Sequence, residues 1–398
     1  MGVRSQDWLA VLLVAGLCGI GAGCGNTRVA CESAAGGANS GTCVCACPVH
    51  LQPALFATTS SDQILGFTIA TSGALTALTP ISGPTNSQNI ASQGDEVFFA
   101  DPPSNQVAAY TLDITTGGIT AAAGSPFSLG TGLSGPSALV VDNYNNLYAT
   151  EPNGTIVGYT TQGNGIVTTP LPGSPYPAGV TPTQMAYAFL NSPGVALYAS
   201  DPGDSVGGIL AFTVNTDGSL SQLSGSPFAT VAGGGPSYLL QVTDASENQF
   251  LFASLSNTGQ VAAFSIDPTT GALTSVPGSP FTVGNGPGSL ASAFLNGTEE
   301  LFVFNTFDHT VAAFTIASNG SLTPLGSPVP VGTASGGMAM YSGGGGSYGM
   351  TYGPTLYAAD TAASAIETVS VNYSTGAISA GTTVPTSLPP VQLIQPMP

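Results

Sequence analysis

Short apolar segments separated by polar loops recur along this chain at intervals of about 50 residues. Each repeat opens with a segment of two large apolar residues followed by a small one. Its copies are Leu55–Ala57, Phe98–Ala100, Leu147–Ala149, Leu197–Ala199, Leu251–Ala253, Leu301–Val303 and Leu356–Ala358. Such self-similarity is typical of repeat architectures, and segments this short predict β-strands.

The second apolar segment of each repeat alternates between small and large side chains. The small residues are Gly66, Ala109, Gly158, Ala211, Ala263 and Ala313. The aromatic residues that follow them are Phe67, Tyr110, Tyr159, Phe212, Phe264 and Phe314. Period two predicts a strand, and one bulky face with one small face indicates a sheet packed between two similar sheets. The seventh copy departs from the pattern, with Thr368 and Val369.

A glycine preceded by Ser, Thr, Asn or Asp follows each second strand. The seven glycines are Gly73, Gly117, Gly165, Gly218, Gly271, Gly320 and Gly376. Because glycine adopts a positive φ without strain, this pattern predicts tight hairpins between the second strand and a third one.

The third strand of five repeats runs into a Gly-Ser-Pro motif. Its copies begin at Gly124, Gly173, Gly225, Gly278 and Gly326. Since proline cannot donate to a strand ladder, we expect the motif at or just beyond an outer sheet edge. A further apolar strand, such as Pro236 to Val242, then leads into the next repeat.

Four antiparallel strands per repeat and seven repeats predict an all-β, seven-bladed β-propeller, with a solenoid as the alternative. The two ends of the chain favour the propeller. No apolar strand precedes Leu55 as its partner, whereas Leu388 to Ile394 forms such a strand with no repeat after it. We therefore expect the C-terminal strand to complete the first blade and close the ring.

The N-terminus has the order of residues found in a secretory signal. Arg4 precedes the apolar run Trp8 to Ile20, and the small residues Gly21–Gly23 stand before Cys24. We expect residues 1–23 to be a signal peptide and Cys24 to be lipidated, as in bacterial lipoproteins. A retained membrane anchor and simple cleavage without lipidation are the alternatives.

The propeller is expected to span residues 51–398, with residues 24–50 as a Cys- and Gly-rich tether. The tether contains four further cysteines, Cys31, Cys43, Cys45 and Cys47. Their spacing does not match a zinc site, so we expect one or two local disulfides of undetermined connectivity and no metal there.

Composition excludes several functions. The 398 residues contain 2 Lys and Arg against 20 Asp and Glu, for a formal net charge of −18. Both cations, Arg4 and Arg28, precede the propeller. Nucleic-acid binding is excluded, because it requires a basic face. For the same reason we expect contact with a membrane only through the lipid anchor.

The repeats resemble those of the lactonase-type seven-bladed propellers, which include 6-phosphogluconolactonases and a fungal muconate cycloisomerase. The resemblance rests on the segments Leu197 to Asp201, Val261 to Asp267 and Thr270 to Leu273, and on the Gly-Ser-Pro-Phe endings. It extends over the chain from residue 51. It implies the propeller fold and, for an enzymatic member, His, acidic and Arg residues near the central channel.

The sequence departs from what that resemblance implies for catalysis, since the propeller contains no Lys or Arg to receive a phosphate. Two histidines are present: His50 in the tether and His309 beside Asp308 in a loop of the sixth repeat. His309 and Asp308 are the candidates for a general base and its partner, and a solvated loop histidine is the alternative.

An acidic residue ends the opening strand of four repeats. These residues are Asp101, Glu151, Asp201 and Asp360, with Asn305 at the equivalent place in the sixth repeat. A ring of carboxylates is typical of a Ca²⁺ site or of a surface that attracts a cationic partner. The alternative is that each side chain caps its own turn by accepting backbone N–H bonds, with no cofactor.

These patterns favour an exported, lipid-anchored binding or scaffold module in the bacterial cell envelope, as an outer-membrane lipoprotein or a periplasmic or extracellular protein. We expect a monomer whose partner is a protein, a glycan or a small molecule. The alternative is a hydrolase of 6-phosphogluconolactone or of a neutral lactone. Hydrolysis requires His309 and a carboxylate to converge at the channel, whereas binding requires only a mouth lined by backbone, hydroxyl, amide and aromatic groups.

Overall fold

The computed structural model of the protein describes residues 52–396, except for 85, 86, 88, 131–134, 192, 193, 204–206, 335 and 342–353. The predicted signal peptide, the lipidation site at Cys24, and the tether with its cysteines and His50 lie outside the described residues. Within the described part of the chain, no helix has the length and hydrophobicity of a membrane span.

The described residues form seven antiparallel sheets, or blades, numbered here in chain order. Blade 1 begins with β1 (Ala54–Thr59), β2 (Gln63–Ile69), β3 (Leu75–Ala77) and β4 (Ile81–Ser82). Blade 2 contains β5 (Ile90–Gln93), β6 (Glu96–Asp101), β7 (Gln106–Leu112), β8 (Ile119–Ala121) and β9 (Phe127–Ser128). Blade 3 contains β10 (Ala138–Val141), β11 (Asn146–Glu151), β12 (Thr155–Gln162), β13 (Ile166–Pro170) and β14 (Tyr176–Pro177). Blade 4 contains β15 (Met185–Phe189), β16 (Val195–Asp201), β17 (Gly208–Val214), β18 (Leu220–Gln222) and β19 (Phe228–Ala229).

The second half of the chain repeats the same plan. Blade 5 contains β20 (Pro236–Thr243), β21 (Gln249–Leu255), β22 (Gln260–Ile266), β23 (Leu273–Ser275) and β24 (Phe281–Thr282). Blade 6 contains β25 (Pro287–Leu295), β26 (Thr298–Asn305), β27 (Thr310–Ile316), β28 (Leu322–Pro324) and β29 (Val329–Pro330). Blade 7 contains β30 (Met338–Tyr341), β31 (Thr355–Asp360), β32 (Ala365–Val371) and β33 (Ile378–Pro385). The last strand, β34 (Pro390–Ile394), returns to blade 1.

The ring is closed by the two ends of the described chain, as the sequence predicts. β34 pairs antiparallel with β1, with Phe56 opposite Ile394 and Ala57 opposite Leu393. The innermost strands β34, β5, β10, β15, β20, β25 and β30 contact one another in that order, and β30 contacts β34 again. The seven-bladed propeller is therefore confirmed, and the solenoid alternative is wrong.

The hydrophobic core lies between neighbouring blades. Phe264 of blade 5, for example, belongs to one buried cluster with Tyr198 and Ala211 of blade 4. The small residue of the second pattern is required by the local packing: a Cβ added to Gly158 would lie 2.8 Å from Leu171 Cδ1. Leu171 belongs to the same blade, so the small residue leaves room for side chains packed against that blade.

The seven hairpin glycines have two structural functions. Each has a positive φ, between 67° and 81°, as predicted. Each turn also rests on the preceding blade: in three blades a buried tyrosine hydroxyl donates to the turn carbonyl at 2.7 Å, as Tyr198 does to Gly271. A Cβ at Gly271 would lie 2.9 Å from Ala196 Cβ, so the position requires glycine for space as well as for φ.

The Gly-Ser-Pro motif interrupts the outer edge of a blade. In blade 5, for example, β23 pairs with one end of β22, and the two-residue strand β24, which follows the motif, pairs with the other end of β22. Between them the motif serine accepts the N–H of the small residue. The four bonds are Ala109 to Ser125, Gly158 to Ser174, Ala211 to Ser226 and Ala263 to Ser279, at 2.9 to 3.0 Å. The hydroxyl therefore replaces a missing ladder bond.

Replacing that serine is expected to destabilise the blade. In Ser279→Ala the N–H of buried Ala263 loses its acceptor, which costs about 1–2 kcal/mol of the free energy of unfolding. The exposed Ser275→Ala in the adjacent strand serves as the control. Urea unfolding of both variants checks this, and equal midpoints for the two variants would contradict the assigned role of the motif.

Candidate functional site

Strand direction gives the propeller two distinct faces. From here on, the four strands of a blade are counted outward from the propeller axis. The second strand of each blade ends, and its innermost strand begins, on one side, which we call the upper face. Among the described residues, the hairpins between first and second strands in blades 2, 3, 5 and 6 lie on the other side, the lower face, as do the hairpins between third and fourth strands of every blade. The predicted acidic residues and the loop with His309 therefore lie on the upper face.

A central cavity of about 210 Å³ opens on the upper face, where the innermost strands meet. Blades 1, 2, 4, 5, 6 and 7 contribute to its lining. The lining residues are Asn89, Thr183, Gln184, Ser237, Tyr238, Gly288, Ser289, Thr306, Gly336 and Gln392. All of these side chains are uncharged, and they present amide, hydroxyl and phenol groups.

Hydrogen bonds across blades hold the amides of the cavity in place. Asn89 donates from Nδ2 to Gln184 Oε1 at 2.8 Å and accepts from the backbone N–H of Leu139 through Oδ1, also at 2.8 Å. Asn89 thus links three consecutive blades. The phenol of Tyr238 also lines the cavity; burial raises its pKa, and the nearby side chain of Gln184 partly opposes this rise.

Serine and threonine hydroxyls fix the remaining wall. Ser200 Oγ accepts the backbone N–H groups of Thr183 and Gln184 at 3.3 and 3.0 Å, and Ser237 Oγ lies 3.1 Å from Ser254 Oγ. These bonds join the start of the innermost strand to the second strand in blades 4 and 5. The cavity is therefore preorganised for neutral hydrogen-bonding partners.

The side chain of Gln392, on the closing strand, occupies space that is free because its neighbour in blade 7, Gly337, has no side chain. A Cβ at Gly337 would lie 1.7 Å from Gln392 Oε1. The backbone N–H of Gln392 donates to Thr58 Oγ1 at 3.2 Å. Ring closure and cavity formation therefore depend on the same C-terminal segment.

His309 and Asp308 do not bond each other. Asp308 is exposed and accepts the backbone N–H and the Nδ2 of Asn285, both at 2.8 Å; these bonds lower its pKa, with a smaller contribution from His309. His309 Nδ1 lies 2.9 Å from the carbonyl of Ala334, which only accepts, so Nδ1 carries the proton. Neither residue is among those that line the central cavity. A catalytic role for this pair stays a prediction.

The predicted acidic ring is buried. The exposed fractions are 7% for Asp101, 0% for Glu151, 2% for Asp201, 1% for Asp360 and 0% for Asn305.

Most of these side chains hold the loop that leads into their own blade. Glu151 accepts the N–H of Gly135 at 3.1 Å, Asp360 accepts that of Thr333 at 2.9 Å, and Asn305 donates to the carbonyl of Val283 at 3.0 Å. Asp201 accepts the N–H of Gly203 in the adjoining turn at 3.2 Å. This geometry supports a capping function, extended to the loops between blades.

Among the described residues, no group of three or more His, Cys, Asp or Glu is placed to hold a metal ion. Ligand or Ca²⁺ binding by the ring stays a prediction.

The residues that form the cavity were not predicted from the sequence. Asn89, Gln184, Tyr238 and Gln392 are of three different residue types, so no single repeated residue marks them. The available signal is positional: each lies at or just before the start of an innermost strand, or within the closing one. In a closed propeller such positions converge on the axis.

No protein-family model matches the sequence, and no curated protein matches it. One similar solved structure is a proposed 6-phosphogluconolactonase from Bacteroides fragilis, with 18% identity, a TM-score of 0.67, and coverage of 86% of this chain and 97% of that one. A second is the periplasmic gluconolactonase PpgL of Pseudomonas aeruginosa, with 14% identity, a TM-score of 0.65, and coverage of 87% and 99%. A third, a proposed 6-phosphogluconolactonase from Bacteroides uniformis, has 19% identity, a TM-score of 0.65, and coverage of 86% and 98%. At these identities the likeness confirms the lactonase-like propeller fold and does not extend to activity.

Proposed function

We propose that this protein is an exported, lipid-anchored propeller that binds a small neutral, hydroxyl-bearing molecule in its central cavity and so acts as a binding module of the bacterial cell envelope. The observation that carries the proposal is the uncharged amide and hydroxyl lining of that cavity. Export and anchoring rest on the N-terminal sequence, with Cys24 as the lipidated residue.

Charge selects the class of ligand. An anion would enter the field of a protein with a net charge of −18 and would meet no Lys or Arg in the propeller. A cation would meet no carboxylate among the lining residues. Amides and hydroxyls both donate and accept, which suits hydroxyl groups of a sugar, a polyol or a neutral lactone. The volume of about 210 Å³ is below the 300–1,000 Å³ typical of drug-sized pockets, which indicates a ligand of roughly monosaccharide size.

The cavity and the first described residue of the propeller lie on opposite faces. The chain enters the propeller at Gln52, whose N–H donates at 2.7 Å to the carbonyl of Ile114 in a lower-face turn. The cavity opens on the opposite, upper face. A ligand would then approach from the side away from the point where the chain enters.

A panel of neutral monosaccharides and of anionic 6-phosphogluconate tests the proposal by saturation-transfer NMR. We expect binding of neutral members only, weakened about tenfold in Gln184→Ala, which removes one half-buried amide and leaves Asn89 without its acceptor. The exposed Gln162→Ala is the matched control and should bind as the unmodified protein does. Absence of binding across the panel, or binding that survives Gln184→Ala, would contradict the proposal.

Hydrolysis of a neutral lactone is the second candidate, favoured by the structural likeness to a gluconolactonase. It requires a base, and His309 is the candidate. Lactone turnover that is lost in His309→Ala would favour this candidate over simple binding.

A further inference from the structure

A second, unrelated groove lies on the lower face between blades 3 and 4, with a volume of about 280 Å³. Tyr144, in the hairpin between β10 and β11, forms one wall and is 55% exposed. Val195 and Val214 form an apolar floor, and Asp217 lines the groove from the turn between β17 and β18. An exposed aromatic ring, an apolar floor and a single carboxylate therefore share one small concavity.

The charge of Asp217 is not needed for its turn. Asp217 Oδ1 accepts the N–H and the hydroxyl of Ser219 at 3.0 and 2.6 Å. Asn319 makes the same two bonds to Ser321, at 3.0 and 2.7 Å, in the corresponding turn of blade 6. The residues at this position in the seven repeats are Ser72, Thr116, Asn164, Asp217, Thr270, Asn319 and Thr375. Of these seven residues, Asp217 is the one whose side chain carries a negative charge at neutral pH.

The carboxylate of Asp217 remains ionised near neutral pH, because the bonds from Ser219 lower its pKa. No Lys or Arg follows Arg28 in the sequence, so no basic side chain of the propeller neutralises it. Its field reaches the phenol of Tyr176, where burial and then Asp217 raise the pKa to about 12. The groove thus carries a local negative charge beside an exposed ring.

We propose that this groove binds a small organic cation, with its ammonium group between the ring of Tyr144 and the carboxylate of Asp217 and its apolar part over Val195 and Val214. A cation over an aromatic face gains attraction from the ring quadrupole, and quaternary ammonium groups, which form weak hydrogen bonds with water, gain most. The net charge of −18 raises the local concentration of cations. The groove is on the face opposite the central cavity, so the two sites are independent.

Choline and its neutral carbon isostere 3,3-dimethylbutan-1-ol provide the test, measured by isothermal titration calorimetry at low ionic strength. We expect choline to bind at least about fivefold more tightly than the isostere. Tyr144→Ala and Asp217→Asn should each weaken choline binding by about threefold to tenfold. Both side chains are exposed, and Asn319 demonstrates that an amide preserves the turn, so the variants should fold.

Asp267→Asn is the matched control, since it removes one exposed carboxylate from the corresponding turn of blade 5, where Asp267 accepts the N–H groups of Thr269 and Thr270. Choline affinity should be unchanged in this variant. Equal loss in Asp267→Asn and Asp217→Asn would assign the effect to the general field and overturn the proposal. Equal affinity for choline and the isostere, or no choline binding at tens of millimolar, would also overturn it.

Discussion

A chain that ends at Ser387 is expected to lose more than about 5 kcal/mol of the free energy of unfolding, enough to unfold an average domain. The truncation removes β34, so the edge of β1 loses its partner strand. It also uncovers Leu55 and Tyr357, which are buried in one cluster with Leu393. Finally, it separates β30 from β5, between which β34 closes the ring.

Thermal unfolding followed by circular dichroism measures the effect, and a peptide of residues 387–396 added in trans provides the control. The peptide should restore part of the lost stability, whereas a scrambled peptide of the same composition should not. The milder Leu393→Ala should cost about 2–5 kcal/mol through the cavity it leaves. A truncated chain with an unchanged midpoint would contradict the closed ring as the source of stability.

Acidification from pH 8 to pH 5 is expected to stabilise the protein, and Glu299 should account for about 2 kcal/mol of the change. Glu299 lies at the start of β26, opposite Phe294 and Ile316. Burial is the main reason that its pKa is raised to about 7, and the nearby carboxylates of Glu300 and Asp244 add to the shift. A hydrogen bond from Ser292 opposes it.

The direction follows from proton binding. In the unfolded chain Glu299 releases its proton near pH 4.5, whereas in the folded protein it keeps it to about pH 7. The stabilisation is therefore fully present below pH 4.5 and is lost as the pH rises through 7. The raised pKa values of Glu96, Glu300 and Asp142, caused mainly by burial, act in the same direction.

Glu299→Gln isolates the contribution of this carboxyl group, because the amide has nearly the same shape and no charge. Chemical unfolding at pH 5 and pH 8 should show a smaller pH dependence in this variant and a higher stability than the unmodified protein at pH 8. The exposed Glu247→Gln, with the same change of charge, should keep the full dependence. Parallel pH profiles for all three proteins would refute the assignment to Glu299.

Sequence patterns predicted the architecture because each pattern reflects a local requirement that every blade repeats. Gly158 reflects the space that the side chain of Leu171 occupies beside it, and Gly271 reflects a turn with positive φ. The apolar strand around Leu393, which has no following repeat, predicted that the C-terminal strand closes the ring, and β34 does pair with β1.

The candidate sites were much less accessible from the sequence. Asn89 and Gln184 are 95 residues apart and meet only because the ring brings their strands to one axis. Asp308 and His309 are adjacent in the chain, yet each bonds a different loop. The raised pKa of Glu299 depends on burial and on Asp244 from the neighbouring blade, which neighbours in sequence do not reveal.

The sequence by itself determined the strands, their turns, the number of blades and the strand that closes the ring, since these depend on side-chain size and backbone freedom within each repeat. The tertiary structure alone decided which polar groups surround the central cavity, and it placed Tyr144 and Asp217 in one groove and buried the acidic ring. The physical reason is that hydrogen bonding, burial and electrostatic fields act through space, between blades that lie far apart along the chain.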